Sequence, residues 1–303
     1  MKQLLVIFLL SLYCVGCGSD SDSKSKLQPA SGQKSERAIA AQLNITVLLD
    51  LSDRISTKKN PEKPEHFQRD IAVIEHLSKI FVKDMEKRGT FMSKGKIKVI
   101  FSPKPQDPNI NLFAEKLSVD LSSMDVKQKK EIHDHIVATF AENLNKIYAA
   151  TIAESKWIGS DIWRFFKNDV KDYCIERDSN YRNILVILTD GYIYHEDSKD
   201  KMGNRFAYLL PENINSLGLR NNSEWEKVIA DKDFGLIAKR NDLQNLEVLV
   251  LEVSPSRNYK NDEDVIKAVL AKWFQEMKVK RFGIYNSDLP EYTKQRVNDF
   301  IAE

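Results

Sequence analysis

The stretch that decides the fold is Asn183 to Gly191, which reads Asn-Ile-Leu-Val-Ile-Leu-Thr-Asp-Gly. Apolar residues follow one another without alternation and then give way to a hydroxyl, a carboxylate and a glycine. Such an uninterrupted apolar run is typical of a parallel strand that is covered on both faces of its sheet. We therefore predict a buried strand that ends at Asp190.

Outward from this strand, strand patterns and helix patterns alternate along the chain. Further strands are predicted at 44–50, 96–101, 246–253 and 281–285, and a short one at 117–121 is expected to pair back on 96–101 as a hairpin. Helices are predicted at 61–87, 126–154, 160–175, 262–277 and 288–302. This order predicts an α/β fold with an open, doubly wound, mostly parallel sheet of the Rossmann-like kind and one antiparallel edge hairpin.

The amino terminus has the layout of a secretory signal. Lys2 precedes an apolar run from Leu4 to Val15, and the small residue Gly16 stands before Cys17. The run is too short to cross a bilayer, which takes roughly 20 apolar residues. Residues 1–16 are therefore predicted to be a signal peptide that is removed.

The last four residues of that segment, Cys-Val-Gly-Cys, resemble the lipobox of bacterial lipoproteins, although Cys14 stands where the family usually has Leu. The resemblance implies cleavage before Cys17 and attachment of acyl chains such as palmitate to this residue. It also implies a lipid anchor in the cell envelope. Because Gly18 and not Asp follows the lipidated cysteine, the outer membrane of a Gram-negative bacterium is favoured. The Ser-Asp-Ser-Asp at 19–22 resembles a surface-export signal, so exposure at the cell surface is an expectation.

Beyond the anchor, residues 17–42 are rich in Ser, Lys, Gln and Ala and lack an apolar period, which predicts a flexible tether. The folded domain is then expected over 43–303. Its charges are interleaved and the formal net charge of the whole chain is +2, which argues against a nucleic-acid partner. Once the signal is removed and Cys17 carries lipid, Cys174 has no cysteine to pair with, and we predict a buried structural thiol.

Two of the predicted strands end in a carboxylate. Asp50-Leu51-Ser52 follows the first strand and Asp190 ends the fourth, while Gly159-Ser160 opens a helix between them. The carboxyl ends of parallel strands meet at one edge of a sheet, where ligands bind. Asp50, Ser52, Ser160 and Asp190 are therefore expected to converge on a hard oxygen site that suits Mg²⁺, Mn²⁺ or Ca²⁺.

The order of these residues resembles a von Willebrand factor type A (vWA) domain with its metal-ion-dependent adhesion site. Asp50 and Ser52 match the first two positions of the family's Asp-x-Ser-x-Ser motif, Ser160 matches the hydroxyl ligand of a later loop, and Asp190 matches the aspartate of its Thr-Asp-Gly. The resemblance covers about 43–302. It implies a metal whose open position accepts a carboxylate from a protein partner.

The third motif position departs from the family, because Arg54 stands where a second Ser is expected. At about 5 Å and an effective dielectric constant near 20, a guanidinium and a divalent cation repel each other by roughly 6–7 kcal/mol. Arg54 is therefore expected either to point away from the site or to replace the metal by pairing with Asp50 or Asp190.

Three functions stay open at this point. The first is an envelope-anchored vWA-like domain that is no enzyme and binds an unidentified protein, through a divalent metal, in interaction or adhesion. The second is a degenerate vWA scaffold that works in an envelope complex without metal. The third is a phosphate-ester hydrolase with Asp50 as nucleophile, which is weakened because Ser52 stands where the acid/base carboxylate should be. In all three, the long segment 192–245 is predicted to be an insertion that lies beside or over the site and shapes partner choice or covers it.

Overall fold

The strands of the fold form two sheets. In chain order the described strands are β1 (Gln42–Leu49), β2 (Lys96–Phe101), β3 (Ser118–Asp120), β4 (Tyr181–Leu188), β5 (Lys201–Met202), β6 (Arg205–Phe206), β7 (Gly235–Leu236), β8 (Leu246–Val253) and β9 (Arg281–Asn286). The larger sheet has the order β3-β2-β1-β4-β8-β9, and all its neighbours are parallel except β2 and β3. The predicted α/β class, the mostly parallel sheet and the antiparallel edge pair are thereby confirmed.

Helices cover both faces of this sheet. They are α1 (His66–Arg88), α2 (Pro108–Glu115), α3 (Val126–Glu154), α4 (Ile162–Arg164), α5 (Val170–Cys174), α6 (Pro211–Ser216), α7 (Trp225–Asp231), α8 (Asn261–Glu276) and α9 (Pro290–Ala302). Successive side chains of β4 point to opposite faces of the sheet. On one face Ile184, Val186 and Leu188 pack with α1, α3 and α9. On the other face Leu185 and Ile187 pack with α4, α5 and α8. Burial on both sides explains why β4 carries no polar alternation.

Two helix predictions are wrong in detail. The first helix begins at His66 and not at residue 61, because Glu65 and Gln68 form a capping box there, after a stretch that contains Pro61 and Pro64. The segment predicted as one helix from 160 is divided by a π-helical turn at Phe165–Asp169 between α4 and α5. The short helix α2, which lies between the two strands of the predicted hairpin, was not expected.

The connection from β4 to β8 is part of the packed fold. It contains the small sheet β5-β6-β7 together with α6 and α7, and its apolar residues Phe206, Ile214 and Phe234 are buried. Two arginines tie it to α8: Arg220 lies 2.7 Å from Asp262, and Arg205 lies 2.7 Å from Glu276. We therefore regard 192–245 as an integral layer of the domain and not as a separate flap.

The structure is a computed structural model and describes residues 41–154, 156–157, 159–255, 259 and 261–302. Cys17, the predicted signal peptide and nearly all of the predicted tether lie outside these residues. Among the described helices, none combines the length and the apolar character needed to cross a membrane. Cys174 is fully buried, and burial raises the pKa of its thiol to about 12, which confirms the predicted structural thiol.

Candidate functional site

The carboxyl ends of β1 and β4 lie side by side. Leu49 is in register with Leu188, so Asp50 and Asp190 follow two adjacent strands, and the amide of Asp50 donates to the carbonyl of Leu188 at 3.1 Å. Ser160 reaches the same edge because it forms an isolated bridge with Tyr194, which follows β4. The structure therefore brings Asp50, Ser52, Ser160 and Asp190 to one edge of the sheet, as the sequence predicts.

Asp50 is buried at this edge and accepts hydrogen bonds with both of its carboxylate oxygens. Its side chain is shielded from solvent, and both carboxylate oxygens accept a hydrogen bond: one from the Ser52 amide at 2.8 Å, the other from the Thr189 hydroxyl at 2.8 Å. Two fixed donors hold the carboxylate in one orientation. Asp50 thus orders the β1 loop and the end of β4 at the same time.

Asp190 has spare capacity as an acceptor. One of its carboxylate oxygens accepts the Tyr192 amide at 3.0 Å, and within the described residues the other accepts no hydrogen bond. Burial, together with the charge of Asp50, raises the pKa of Asp190 to about 7. Because the charge of Asp50 disfavours ionisation of Asp190, added positive charge beside Asp190 is stabilising.

Ser160 is held by its backbone, while its hydroxyl is unused. Its amide donates to the carbonyl of Tyr194 at 2.8 Å, and its carbonyl accepts from the Tyr194 amide at 3.2 Å. The hydroxyl is buried and has no hydrogen-bond partner among the described residues. Gly159 permits this contact, because its φ is +84° and a Cβ there would lie 2.2 Å from the Tyr194 carbonyl oxygen.

Arg54 turns inward, beneath the edge. Its Nη2 lies 2.5 Å from a carboxylate oxygen of Asp70 on α1, and the Tyr148 hydroxyl of α3 donates to that same oxygen at 2.6 Å. Its Nε donates to the backbone carbonyl of Asp50 at 3.0 Å and lies 3.9 Å from that residue's carboxylate. Burial acts to lower the pKa of Arg54, but the charges of Asp70 and Asp50 outweigh it, and the pKa is raised.

This arrangement corrects the expectation for Arg54. Arg54 forms no close pair with Asp50 or Asp190: its close ionic partner is Asp70 on α1, Asp50 lies at the margin of ion-pair distance, and Asp190 acts only through its charge. The roles of Asp70 and Tyr148 were missed in the sequence. A signal existed, because Asp70 falls on the same helical stripe as the apolar residues Ile74 and Leu77 and is buried with them.

A cleft of about 380 Å³ opens beside these residues. Its walls include Arg54, Asn60, Glu62, His66, Asp190 and Tyr192. Burial and the charge of Arg54 lower the pKa of His66, so its imidazole is neutral near pH 7, and its Nδ1 has no hydrogen-bond partner among the described residues. The cleft gives a bound group access to the oxygens of Asp190.

The sequence matches no protein-family model, and no curated protein sequence matches it significantly.

The raised pKa of Asp190 predicts how stability depends on pH. In the folded protein Asp190 binds its proton more tightly than in the unfolded chain, where its pKa is 3.8. The stabilisation is therefore complete below about pH 4 and is lost as the pH rises through about 7. Urea unfolding in the presence of a chelator should show the free energy of unfolding falling between about pH 4 and pH 7. Asp190→Asn should remove the part of this pH dependence that Asp190 contributes.

Glu252 provides the matched control, because burial and the charge of Asp70 raise its pKa to about 7 as well. Glu252→Gln should remove a separate part of the pH dependence of the free energy of unfolding. If Asp190→Asn left the pH dependence of unfolding equal to that of the wild type, the assignment of a raised pKa to Asp190 would be wrong.

Proposed function

We propose that this chain is a vWA-like binding domain whose carboxyl-edge site holds a divalent cation and, through it, a protein partner. The mostly parallel sheet with its antiparallel edge strand β3 is compatible with the fold that the resemblance implies. The observation that carries the proposal is a pair of oxygens at this edge that accept no hydrogen bond from any described residue, namely the Ser160 hydroxyl and one carboxylate oxygen of Asp190.

The donor set fits a hard cation. Asp190, Ser160 and Ser52 would hold it, and Asp50 would act from behind, through its charge and through a water molecule. The described residues contain no group of three or more His, Cys, Asp or Glu side chains placed to share a metal, so hydroxyls must complete this site. Such an oxygen set with few charges suits Mg²⁺ or Mn²⁺ better than a soft metal. Bound there, the cation would supply an open position for a partner's oxygen.

Arg54 is compatible with a cation because Asp70 neutralises it locally. A guanidinium paired at 2.5 Å with a carboxylate presents a dipole and not a net charge. The repulsion between a dipole and a cation falls off faster with distance than the repulsion between two charges. The repulsion between Arg54 and a bound cation is therefore smaller than the value expected from the sequence for an unpaired guanidinium.

The state of Asp50 favours a binding role over hydrolysis. A nucleophilic carboxylate must reach the phosphorus atom of its substrate, but Asp50 is 1% exposed and both of its oxygens accept hydrogen bonds. We therefore propose binding, and not phosphate-ester hydrolysis by Asp50, as the role of this edge. We further propose that Cys17 carries the lipid that anchors it to the envelope, with the outer membrane of a Gram-negative bacterium favoured. Incorporation of labelled palmitate, and its loss in Cys17→Ser, would test the anchor.

Cation binding is tested by calorimetry and thermal shift with Mg²⁺ and Mn²⁺. The wild type is expected to bind, Asp190→Asn to lose binding, and Ser160→Ala to weaken it about tenfold, because the buried hydroxyl is one of few ligands. The double variant Arg54→Ser with Asp70→Asn should bind more tightly, since it restores the hydroxyl of the family motif and removes the buried ion pair. Absence of heat and of thermal shift in the wild type would leave a metal-free scaffold as the function.

The partner is tested by affinity capture from detergent-solubilised envelopes, with wild type and Asp190→Asn as matched baits. A protein that is retained by the wild type, released by a chelator and absent from the Asp190→Asn sample would support recognition through the cation. Equal capture by both baits would place the binding surface elsewhere on the domain.

A further inference from the structure

A short loop between α1 and β2 displays two large apolar side chains. It runs over residues 89–93 and is called the tip loop below. Phe91 is 79% exposed and Met92 is 47% exposed, and Phe91 heads the exposed large apolar residues of the described chain. Two adjacent apolar side chains at the end of a turn form a compact wedge, which differs from the scattered exposed apolar residues of an ordinary surface.

Hydrogen bonds fix the conformation of the tip loop. The amide and hydroxyl of Ser93 both donate to the carbonyl of Gly89, at 3.1 and 2.9 Å, and the hydroxyl also donates to the carbonyl of Met85 at 3.2 Å. The side chain of Gln42 donates to the carbonyl of Met92 at 3.0 Å. These bonds close the loop on the end of α1 and on the start of β1, so the loop holds Phe91 and Met92 away from the core.

Basic residues outnumber acidic ones in the sequence on both sides of the tip loop. Residues 83–98 contain six Lys or Arg against two Asp or Glu. Arg88 pairs with Asp84, and Lys96 pairs with Asp120 and Glu176, whereas Lys87 and Lys94 are exposed on either side of the apolar pair. An apolar tip between exposed lysines matches the boundary of an anionic bilayer, where acyl chains lie beneath negative headgroups.

The tip loop lies where the chain enters the domain. Arg88 donates to the carbonyl of Ala41 at 2.6 Å, and Gln42 begins β1. Asp50 follows the far end of that strand, which at about 3.3 Å per residue is roughly 26 Å away. The predicted lipid-bearing tether thus leads directly to the tip loop, and the candidate cation site lies at the opposite edge of the sheet.

We propose that the tip loop is a membrane-contact site, at which Phe91 and Met92 insert into an anionic lipid surface while Lys87 and Lys94 contact the headgroups. Two apolar side chains together with two lysines should give weak binding that is measurable at millimolar lipid without the anchor, and the predicted tether would strengthen it in the cell by keeping them close to the bilayer. A flexible chain of such length has a root-mean-square extension of about 25–30 Å, which makes the local lipid concentration high. This site goes beyond the proposed cation-dependent binding, because it shares no residue with the cation site and needs no cation, while its closeness to the bilayer in the cell rests on the proposed lipid anchor.

The test is vesicle co-sedimentation in the presence of a chelator. The protein is the chain from residue 18 onward, which retains the whole compact unit 40–303 and carries no acyl group. Vesicles of phosphatidylglycerol with phosphatidylethanolamine are compared with vesicles of phosphatidylcholine. Wild type is expected to prefer the anionic vesicles, and Phe91→Ser with Met92→Ser to bind them about tenfold or more weakly, because the apolar wedge is lost.

Two further variants distinguish insertion from general stickiness. Leu289→Ser with Tyr292→Ser removes an apolar pair of similar exposure, 57% and 59%, at the other edge of the sheet, and should bind vesicles like the wild type. Lys87→Gln with Lys94→Gln should weaken binding to anionic vesicles only. If the wild type ignored both kinds of vesicle, or if the variants Phe91→Ser and Met92→Ser bound as well as the wild type, the proposal would be overturned and a protein partner would be the better occupant. Because cations are absent from this assay, its outcome is independent of the proposed cation site.

Discussion

Replacing Asp70 with asparagine is expected to lower the free energy of unfolding by about 3–5 kcal/mol, because it removes the close counterion of the buried Arg54 and leaves only the carboxylate of Asp50, 3.9 Å away. Both side chains are shielded from solvent, at 1% and 0% exposure, so water cannot take the place of the lost carboxylate. The Tyr148 hydroxyl keeps an amide oxygen as its acceptor in this variant. The loss therefore reports on the charge and not on a missing hydrogen-bond partner. Urea unfolding at neutral pH measures it.

Two controls separate the buried pair from ion pairs in general. Lys59→Met removes the Lys59–Asp53 pair, in which both side chains are more than half exposed, and should change the free energy of unfolding by less than about 1 kcal/mol. Arg54→Met combined with Asp70→Leu replaces both charges by apolar groups and should recover most of the stability lost in Asp70→Asn. If Asp70→Asn unfolded like Lys59→Met, the buried network would not carry the role assigned to it.

Replacing Gly159 with alanine is expected to lower the free energy of unfolding by about 3 kcal/mol, from left-handed backbone strain and from displacement of the Tyr194 backbone. The new Cβ would lie 2.2 Å from a carbonyl oxygen, which cannot move without breaking the bridge between Ser160 and Tyr194. The same displacement shifts the Ser160 hydroxyl, so cation binding should be lost together with stability.

Gly203 is the matched control for this substitution. Its φ is +61°, and nothing lies within 4 Å of the position that a Cβ would take, so Gly203→Ala should show only the backbone strain of about 1 kcal/mol. Chemical denaturation compares the two variants, and calorimetry compares their cation binding. Equal losses of stability in Gly159→Ala and Gly203→Ala would contradict the contact with Tyr194.

The order of strands and helices could be predicted because burial on both sheet faces leaves a direct trace in the sequence. The apolar run of β4 has no room for polar alternation, and the stripe of α3 specifies a helix over 126–154, with the same bounds in the structure. Convergence of Asp50 and Asp190 follows from parallel pairing alone, since adjacent parallel strands end at the same edge.

The partner of Arg54 could not be predicted in the same way. Its pairing with Asp70 depends on where α1 crosses the end of β1, and that contact is set by packing between elements and not by local pattern. The start of α1 was missed for a local reason, the prolines that precede Glu65. The strands within 192–245 escaped prediction because segments as short as Lys201–Met202 and Gly235–Leu236 are too brief to show a strand period.

The burial of Cys174 has a practical consequence for spectroscopy. Cys174 is the sole cysteine of the sequence from residue 18 onward, and its side chain is fully buried. Burial also raises the pKa of its thiol to about 12. Cys174 should therefore not react with thiol-specific probes while the domain is folded. A cysteine introduced at any exposed position would then be the only reactive thiol without any mutation of the core. A spin label at Thr90 could report its depth in a lipid bilayer, and a second at Tyr292 could give the orientation of the sheet above it.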